Sequence, residues 1–346
     1  MSTVFSKAPL RMALAGGGTD LEPYWSKYGG VVLNGTIDQY AYCKIEPCEC
    51  NHEKCWSFKS VDLGIEERHD FYSTPFMQGE YVDSDLQLLV NTYQYLTNKI
   101  DRHPVKITTY VEAPPGSGLG SSSALVVALV SAIAEYHKIP LGEYDIAEYA
   151  VEIERNICNM PGGKQDQFAA AFGGFNFTEF LQDGRTIVNP LRLNYKTQNM
   201  MELSTVLYYV GKPRADSRVI ENTAKGLVDD EVVLNATHKI KEACMEYKRS
   251  LLTGDFKRIS ELMETYWRSK LETNPHVASP EILDAYEYAL QNGATGAKIS
   301  GAGGGGHMVL FTEFERRHEL ITALKEKEGR VVPFKFVKHG VDVWRQ

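Results

Sequence analysis

No apolar run in the 346 residues approaches the roughly 20 that a membrane-spanning helix needs. The opening stretch, MSTVFSKAPLRM, lacks the basic and apolar regions of a secretory signal, so a cytoplasmic location with no membrane partner is expected. Basic charge is not in excess: 37 Lys and Arg face 45 Asp and Glu, a net charge of −8. That balance argues against nucleic acid as a partner, because phosphate backbones attract basic faces. A small anionic ligand needs only a local basic pocket. There is no internal repeat, low-complexity tract or long linker. Cysteine is scarce, six in all, and no CxxC pair occurs. Four of the six, Cys43, Cys48, Cys50 and Cys55, crowd around His52. Thiolates and imidazole suit zinc, but the spacing completes no recognised zinc pattern. The cluster reads as a hairpin carrying reduced thiols.

The length suits two domains rather than one core. GGVVLNGTIDQYAYCKIEP alternates and is β-branched, which predicts strand; PVKITTYVEAP predicts another. DLQLLVNTYQYLTNKI and GEYDIAEYAVEIERNIC have helical spacing, and SSSALVVALVSAIAEYHK is apolar nearly all round, as a buried helix is. GGFNFTEFL and TIVNPLRLN predict a β-meander. Near residues 190–200 the pattern changes, giving a division at 1–195 and 196–346. Strand STVLYYVGKP is followed by long amphipathic helices. A further helix opens with Ser279 as N-cap and Pro280 in its first turn. GAKISGAGGGGHMVLF predicts strand, glycine turn, strand. A last helix precedes RVVPFKFVKHGVDVW, which predicts closing strand. Strands and helices mix in both halves, so the class is α+β (mixed α/β), the second half a small α+β sandwich.

The segment EAPPGSGLGSSSALVV places glycines and hydroxyls at the mouth of the buried helix. Glycines let backbone N–H groups turn toward a ligand. The helix N-terminus adds unpaired N–H groups and partial positive charge. Together they make an anion site of the kind that holds phosphate. It is not a Walker A loop, since no GK[ST] follows. It is not the dinucleotide fingerprint either, since Ser121 stands at the last glycine and no acidic residue follows at the required distance.

PPGSGLGSSSA closely resembles the phosphate-loop motif of the GHMP kinases, the family of galactokinase, homoserine kinase, mevalonate kinase and phosphomevalonate kinase. APLRMALAGGGTDL resembles the family's first motif and KISGAGGGGHMVLF its third. The three stand in the family's order across residues 8–311. The resemblance implies a two-domain fold, an N-terminal ribosomal-protein-S5-like domain followed by a C-terminal ferredoxin-like α+β sandwich, with ATP and Mg2+ bound in the cleft between them. It assigns Pro115, Gly116, Ser117, Gly118, Leu119, Gly120, Ser121, Ser122 and Ser123 to the nucleotide phosphates.

EIERNICNMPGGKQDQF resembles the segment that carries the base and a metal ligand in the sugar-kinase branch. The resemblance makes Asp166 the base or the group that positions the hydroxyl, Glu154 a magnesium ligand, and Ser122 the hydroxyl that completes the metal site. Arg11 would lie near the base and the transferred phosphoryl group. Lys164 is expected to hold the base ionised or to touch phosphate. Gly17, Gly18, Thr19 and Asp20 fall to the acceptor, with Asp20 accepting from two sugar hydroxyls. Gly301, Gly303 and Gly304 of the third motif complete that side and can close over it.

LAGGGTDLEPYWSKYGGVVLNGTI is similar to the first motif of bacterial D-glycero-D-manno-heptose 7-phosphate kinases. It departs from them at Met12, Leu21 and Glu22, none of which is a catalytic letter. The resemblance implies phosphorylation of the anomeric oxygen of a sugar phosphate, on a route to GDP-heptose and surface polysaccharide. A sugar phosphate needs a second basic pocket, for which Lys212, Arg214 and Arg218 are the candidates. Competing readings are another anomeric sugar kinase of L-fucose or galactose type, a non-catalytic sugar sensor on the same fold, and a nucleotide-dependent oxidoreductase. Assembly, including a homodimer, is left open.

Overall fold

A computed structural model describes residues 2–48, 55–70, 81–100, 103–211 and 217–346. Its larger sheet is built on β1 (Val4–Ala15) and β2 (Gly30–Pro47), antiparallel partners. Helix α1 (Glu22–Tyr28) lies in their connection. Beyond β2 come β3 (Cys55–Ser60), β4 (Ile65–Asp70), α2 (Gln87–Thr97) and β5 (Val105–Val111). The order across this side is β2, β5, β3, β4, with β3 parallel to β5. The cysteine-rich connection therefore does not close a hairpin: β5 separates β2 from β3. Cys43 is buried in the core, and burial pushes its thiol well up. Cys50 and His52 lie outside the described residues. Among the described residues no group of three His, Cys, Asp or Glu could hold a metal ion.

Helices α3 (Ser121–His137), α4 (Glu143–Val151) and α5 (Gln165–Phe172) follow. Nearly every face of α3 is buried, as its composition predicts, because it lies between β1, β2 and the helices α2, α4 and α5. β6 (Phe175–Phe180) pairs with the first half of β2, and β7 (Thr186–Pro190) pairs with β6, so the predicted meander is present. From Ala8 onward both faces of β1 are buried. Helices cover it on both sides, which is why its sequence does not alternate.

The smaller sheet holds β8 (Thr205–Tyr209), β9 (Ala294–Ile299), β10 (His307–Thr312) and β11 (Arg330–Val332), in the order β11, β8, β10, β9 and all antiparallel. Helix α6 (Tyr195–Ser204), which the hydrophobic pattern did not predict, enters it; Asn194 caps the helix by accepting from Thr197 N–H at 2.9 Å. Then come α7 (Ser217–Asp229), α8 (Glu231–Thr253), α9 (Phe256–Thr273) and α10 (Pro280–Gln291). Asp230 and Asp255 cap α8 and α9, and Ser279 caps α10. The paired helices α8 and α9 join the sheets, α8 touching β2 and α9 touching β9. No helix among the described residues is long and apolar enough to cross a membrane.

After α11 (Arg317–Leu324) and β11, the expected long closing strand is interrupted at Pro333, which has no N–H to give to a ladder. The chain crosses instead to the larger sheet, where Val337 N–H donates to Thr36 O at 2.9 Å. It ends as β12 (Asp342–Arg345), paired with β1. Phe336 anchors the crossing, 5% exposed and packed on Phe175 with ring centroids 4.5 Å apart. Phe336→Ala should cost about 3–5 kcal/mol of unfolding free energy by leaving a cavity there. Urea denaturation of the variant beside the parent checks it, and an unchanged midpoint would show that the crossing does not secure the fold.

Candidate functional site

The two glycine-rich segments meet at a cleft of about 550 Å³. Residues 112–120 join β5 to α3, and Gly120 is the left-handed residue before the helix, with no side chain capping its first N–H groups. Those donors are left for a ligand. Gly118 (φ +77°) could carry no side chain, since a Cβ would come 2.3 Å from Ser300 O. Ser300 Oγ donates to Gly118 O at 2.8 Å. His307 N–H and Nδ1 both reach Ser117 O, at 2.9 and 2.8 Å. The third glycine loop is thus bonded directly to the phosphate loop.

Arg11 projects from the buried half of β1 and is 3% exposed. Its Nε and Nη2 donate to the two carboxylate oxygens of Asp166, at 2.6 and 2.7 Å, the bidentate geometry that suits guanidinium and carboxylate. Its Nη1 donates to Gly118 O at 2.5 Å, and its backbone N–H to Leu119 O at 3.0 Å. Asp166 stands in the first turn of α5, close against Gly120: a Cβ there would come 3.2 Å from its carboxylate.

Glu154 is 1% exposed and lies in a π-helical turn, Glu152–Ile157, where the sequence predicts unbroken α-helix. Such wide turns re-aim side chains and recur at functional sites. One carboxylate oxygen accepts from Ser122 Oγ; the other accepts from Ser123 Oγ at 2.7 Å and Gln167 Nε2 at 2.6 Å. Glu154 and Ser122 line the cleft at the helix mouth. One carboxylate and one hydroxyl beside a phosphate cradle form a hard-oxygen set that fits magnesium, which keeps waters and phosphate oxygens as its other ligands. The next residue, Arg155, donates to Gly163 O and Met160 O at 3.0 and 3.2 Å and so holds the loop before α5.

At the other end of the cleft, Asp20 is 3% exposed. Its Oδ1 accepts from Gly18 N–H at 3.0 Å; its Oδ2 accepts from Gln165 N–H at 3.3 Å and Gln165 Nε2 at 3.1 Å. Three of its roughly four acceptor positions are therefore used within the protein. The expected pair of sugar hydroxyls does not fit that count; one remaining lone pair on Oδ1 does. Gly163 makes room for this carboxylate, since a Cβ would overlap Asp20 Oδ2 at 1.9 Å.

Of the residues expected at the site, Arg11, Gly17, Gly18, Asp20, Pro115, Gly116, Gly118, Gly120, Ser121, Ser122, Ser123, Glu154, Asp166, Gly301 and Gly303 all line this one cleft. Others do not. Ser117 and Leu119 are fully buried behind the cradle. Thr19 is buried too, its hydroxyl bonded to Gly16 O and to the backbone of Val31. Gly304 gives its N–H to Val277 O. Lys164 turns away: its ammonium sits 4.0 Å above the Trp25 ring, and burial lowers its pKa. Standing two residues before Asp166 at a helix start, it leaves on a different face. Lys212 and Arg214 lie outside the described residues, and Arg218 is exposed in the first turn of α7.

The cleft also holds residues the sequence reading missed: Arg155, Gln165, Lys270 and Ser300. Lys270 had a signal, since it continues the buried face of α9 that runs through Ile259, Met263, Tyr266 and Trp267. Behind it Lys298 is buried on β9, donating to Ala13 O at 2.6 Å. Burial, with Arg11 and Lys270 close by, lowers its pKa to about 7.

The family model described as GHMP kinases N terminal domain matches residues 87–174, and that described as GHMP kinases C terminal matches residues 247–330. The chain is 40% identical to the D-glycero-alpha-D-manno-heptose 7-phosphate kinase of Campylobacter jejuni, with 100% of each chain covered. A crystal structure of a D-glycero-D-manno-heptose 1-phosphate kinase from Bacteriodes thetaiotaomicron aligns over 99% of both chains, with a TM-score of 0.82 and 34% identity. Galactokinase of Lactococcus lactis, solved with galactose, covers 98% of this chain and 95% of its own, with a TM-score of 0.77; at 17% identity that is a likeness of fold alone.

Burial of His307 at the junction of the two loops predicts a pH dependence of stability. Burial lowers the pKa of His307 to about 4, outweighing its bond to Ser117 O, and burial likewise lowers His137 to about 4. Below the ordinary value of 6.5 the unfolded chain takes up protons that the folded chain refuses. Stability should therefore be level in these two groups above about pH 6.5 and fall as pH drops toward about 4. Urea midpoints at about pH 7.5 and about pH 5 measure the fall. His307→Asn, which keeps a side-chain N–H for Ser117 O but does not titrate, should reduce it; an undiminished fall would place the titration elsewhere.

Proposed function

This chain belongs to the GHMP kinases and has their two-domain mixed α/β fold, and we propose that it transfers the terminal phosphoryl group of ATP to the anomeric hydroxyl of D-glycero-D-manno-heptose 7-phosphate. The product, the 1,7-bisphosphate, would supply GDP-heptose for capsule or lipopolysaccharide. On this reading residues 1–195 carry the phosphate cradle and the base, and residues 196–346 bring the third glycine loop and α9. A phosphotransferase acting on a sugar hydroxyl is what the family and its heptose-kinase relatives support.

The observation that carries the mechanism is the Asp166 carboxylate, fixed by two bonds from Arg11 beside the cradle. Phosphoryl transfer passes through a loose transition state, so positioning and charge stabilisation matter more than strong base catalysis. The free N–H groups at the start of α3 take the phosphate oxygens. Asp166 orients the anomeric hydroxyl and receives its proton as the new oxygen–phosphorus bond forms and the bond to the leaving ADP oxygen breaks. Glu154 and Ser122 would hold magnesium, which neutralises charge on the phosphates when bound. Arg155 keeps the loop before α5 in place, and with it the base.

The heptose acceptor is supported by the full-length likeness to the Campylobacter jejuni enzyme. The names of the two heptose-kinase relatives differ over whether the phosphate stands at position 7 or position 1. A pocket for a 7-phosphate is supported by Arg218 at the start of α7, whose Val219, Ile220 and Thr223 line the cleft. The presence of Arg11, Asp166, Glu154 and Ser122 around one cleft favours a working enzyme over a sugar sensor.

ADP formation over an acceptor panel tests this reading: heptose 7-phosphate, heptose 1-phosphate, mannose 6-phosphate, galactose, fucose, mevalonate and homoserine. The heptose 7-phosphate should be the preferred acceptor, and Asp166→Asn should lower its turnover ~10²-fold or more. Preference for an unphosphorylated sugar would keep the kinase and discard the heptose phosphate.

A further inference from the structure

Two glycines and one helix shape the acceptor end of the cleft. Gly17 and Gly18 carry no side chains, and α9 comes up against them. The Tyr266 hydroxyl lies 3.1 Å from where a Cβ on Gly17 would stand, and the Lys270 ammonium 3.6 Å from one on Gly18. Four residues apart, Tyr266 and Lys270 share one face of the helix. Tyr266 is fully buried against Lys298 and Gly17 O. Lys270 lines the cleft.

Lys270 is 5% exposed, yet among the described residues its ammonium has no hydrogen bond and no carboxylate within 4 Å. The charge of Asp20 acts on it only from further off. A buried ammonium without a partner is costly. The other cations at this end are already engaged: Arg11 on Asp166 and Gly118 O, Arg155 on loop carbonyls, Lys298 on Ala13 O. The open side of Lys270 is the cleft. One acceptor shares that end with it, the remaining lone pair of Asp20 Oδ1; the Gln165 amide is committed to Asp20 Oδ2 through its Nε2. A donor cation beside a carboxylate acceptor suits adjacent hydroxyls, each of which both gives and takes a hydrogen bond.

We propose that Lys270 is a specificity-determining residue of the acceptor site, its ammonium donating to one of two neighbouring hydroxyl oxygens of the sugar while Asp20 Oδ1 accepts the proton of the other. The proposal rests on the reading that this cleft phosphorylates a sugar. It selects polyhydroxylated acceptors over amino acids and branched acids, which lack the vicinal pair.

The test is steady-state kinetics of Lys270→Met and Lys270→Gln, run on heptose 7-phosphate or, should that fail, on the panel sugar with the highest turnover. Loss of one charge-assisted bond should raise the acceptor KM ~10–100-fold. The KM for ATP should stay within about twofold, since among the described residues no hydrogen bond joins Lys270 to the phosphate cradle. The melting temperature of the free protein should hold or rise, because an unpartnered buried charge has been removed. An acceptor KM unchanged in both variants would overturn the proposal. So would a fall in melting temperature with equal losses for both substrates, which marks a structural lysine. If Lys270→Met does not fold, Lys270→Gln carries the test. Failure of every panel sugar with the parent enzyme would overturn the functional reading itself, whereas turnover with an unchanged acceptor KM would overturn only the role of Lys270.

Discussion

The bidentate pair between Arg11 and Asp166 is the interaction on which the site depends. Arg11 comes from the buried half of β1, Asp166 from the start of α5, and the third bond of the guanidinium goes to the phosphate loop at Gly118. One side chain thus sets the distance between Asp166, the proposed base, and the loop at Gly118. Removing Asp166 would leave the buried Arg11 guanidinium without its counter-charge, whereas Asp166 itself stays partly open to the cleft. The same pair keeps the carboxylate from swinging, which matters in a reaction governed by alignment.

The two ends of the cleft use different chemistry for ligands that both carry oxygen. The proposed donor end offers backbone N–H groups and a helix terminus, with no lysine lining the cradle among the described residues. The proposed acceptor end presents the side chains of Asp20 and Lys270. Glycine serves both. At Gly118 it allows the phosphate loop to touch the third glycine loop, and at Gly163 it clears the space that Asp20 occupies. The pairing of the glycine loops through Ser300 and His307 couples the smaller sheet to the phosphate site. Closure of the third loop over the cleft would have to stretch these bonds.

Much of this was legible in the sequence where a local rule operates. The buried α3 follows from its apolar composition, the cap at Ser279 from serine before proline, and the anion site from glycines and serines at a helix mouth. What was not legible depends on contacts between distant segments. Lys164 neighbours Asp166 in the chain but leaves the helix start toward Trp25. Lys270 continues the buried face of α9, which marks it as enclosed but not what it faces; Gly18, far away in sequence, leaves its ammonium room. The π-helical turn at Glu154 has no sequence signature separate from the α-helix it interrupts. The closing segment reads as one strand by composition, yet Pro333 sends it from one sheet to the other.

A double-mutant cycle on turnover, with Arg11→Met, Asp166→Asn and the combined variant, tests the central claim most directly. If Arg11 acts by holding Asp166, the combined variant should be no worse than the more damaged single variant, because the two side chains work as one unit. If the two losses multiply, Arg11 and Asp166 contribute independently, and the site does not depend on their pairing.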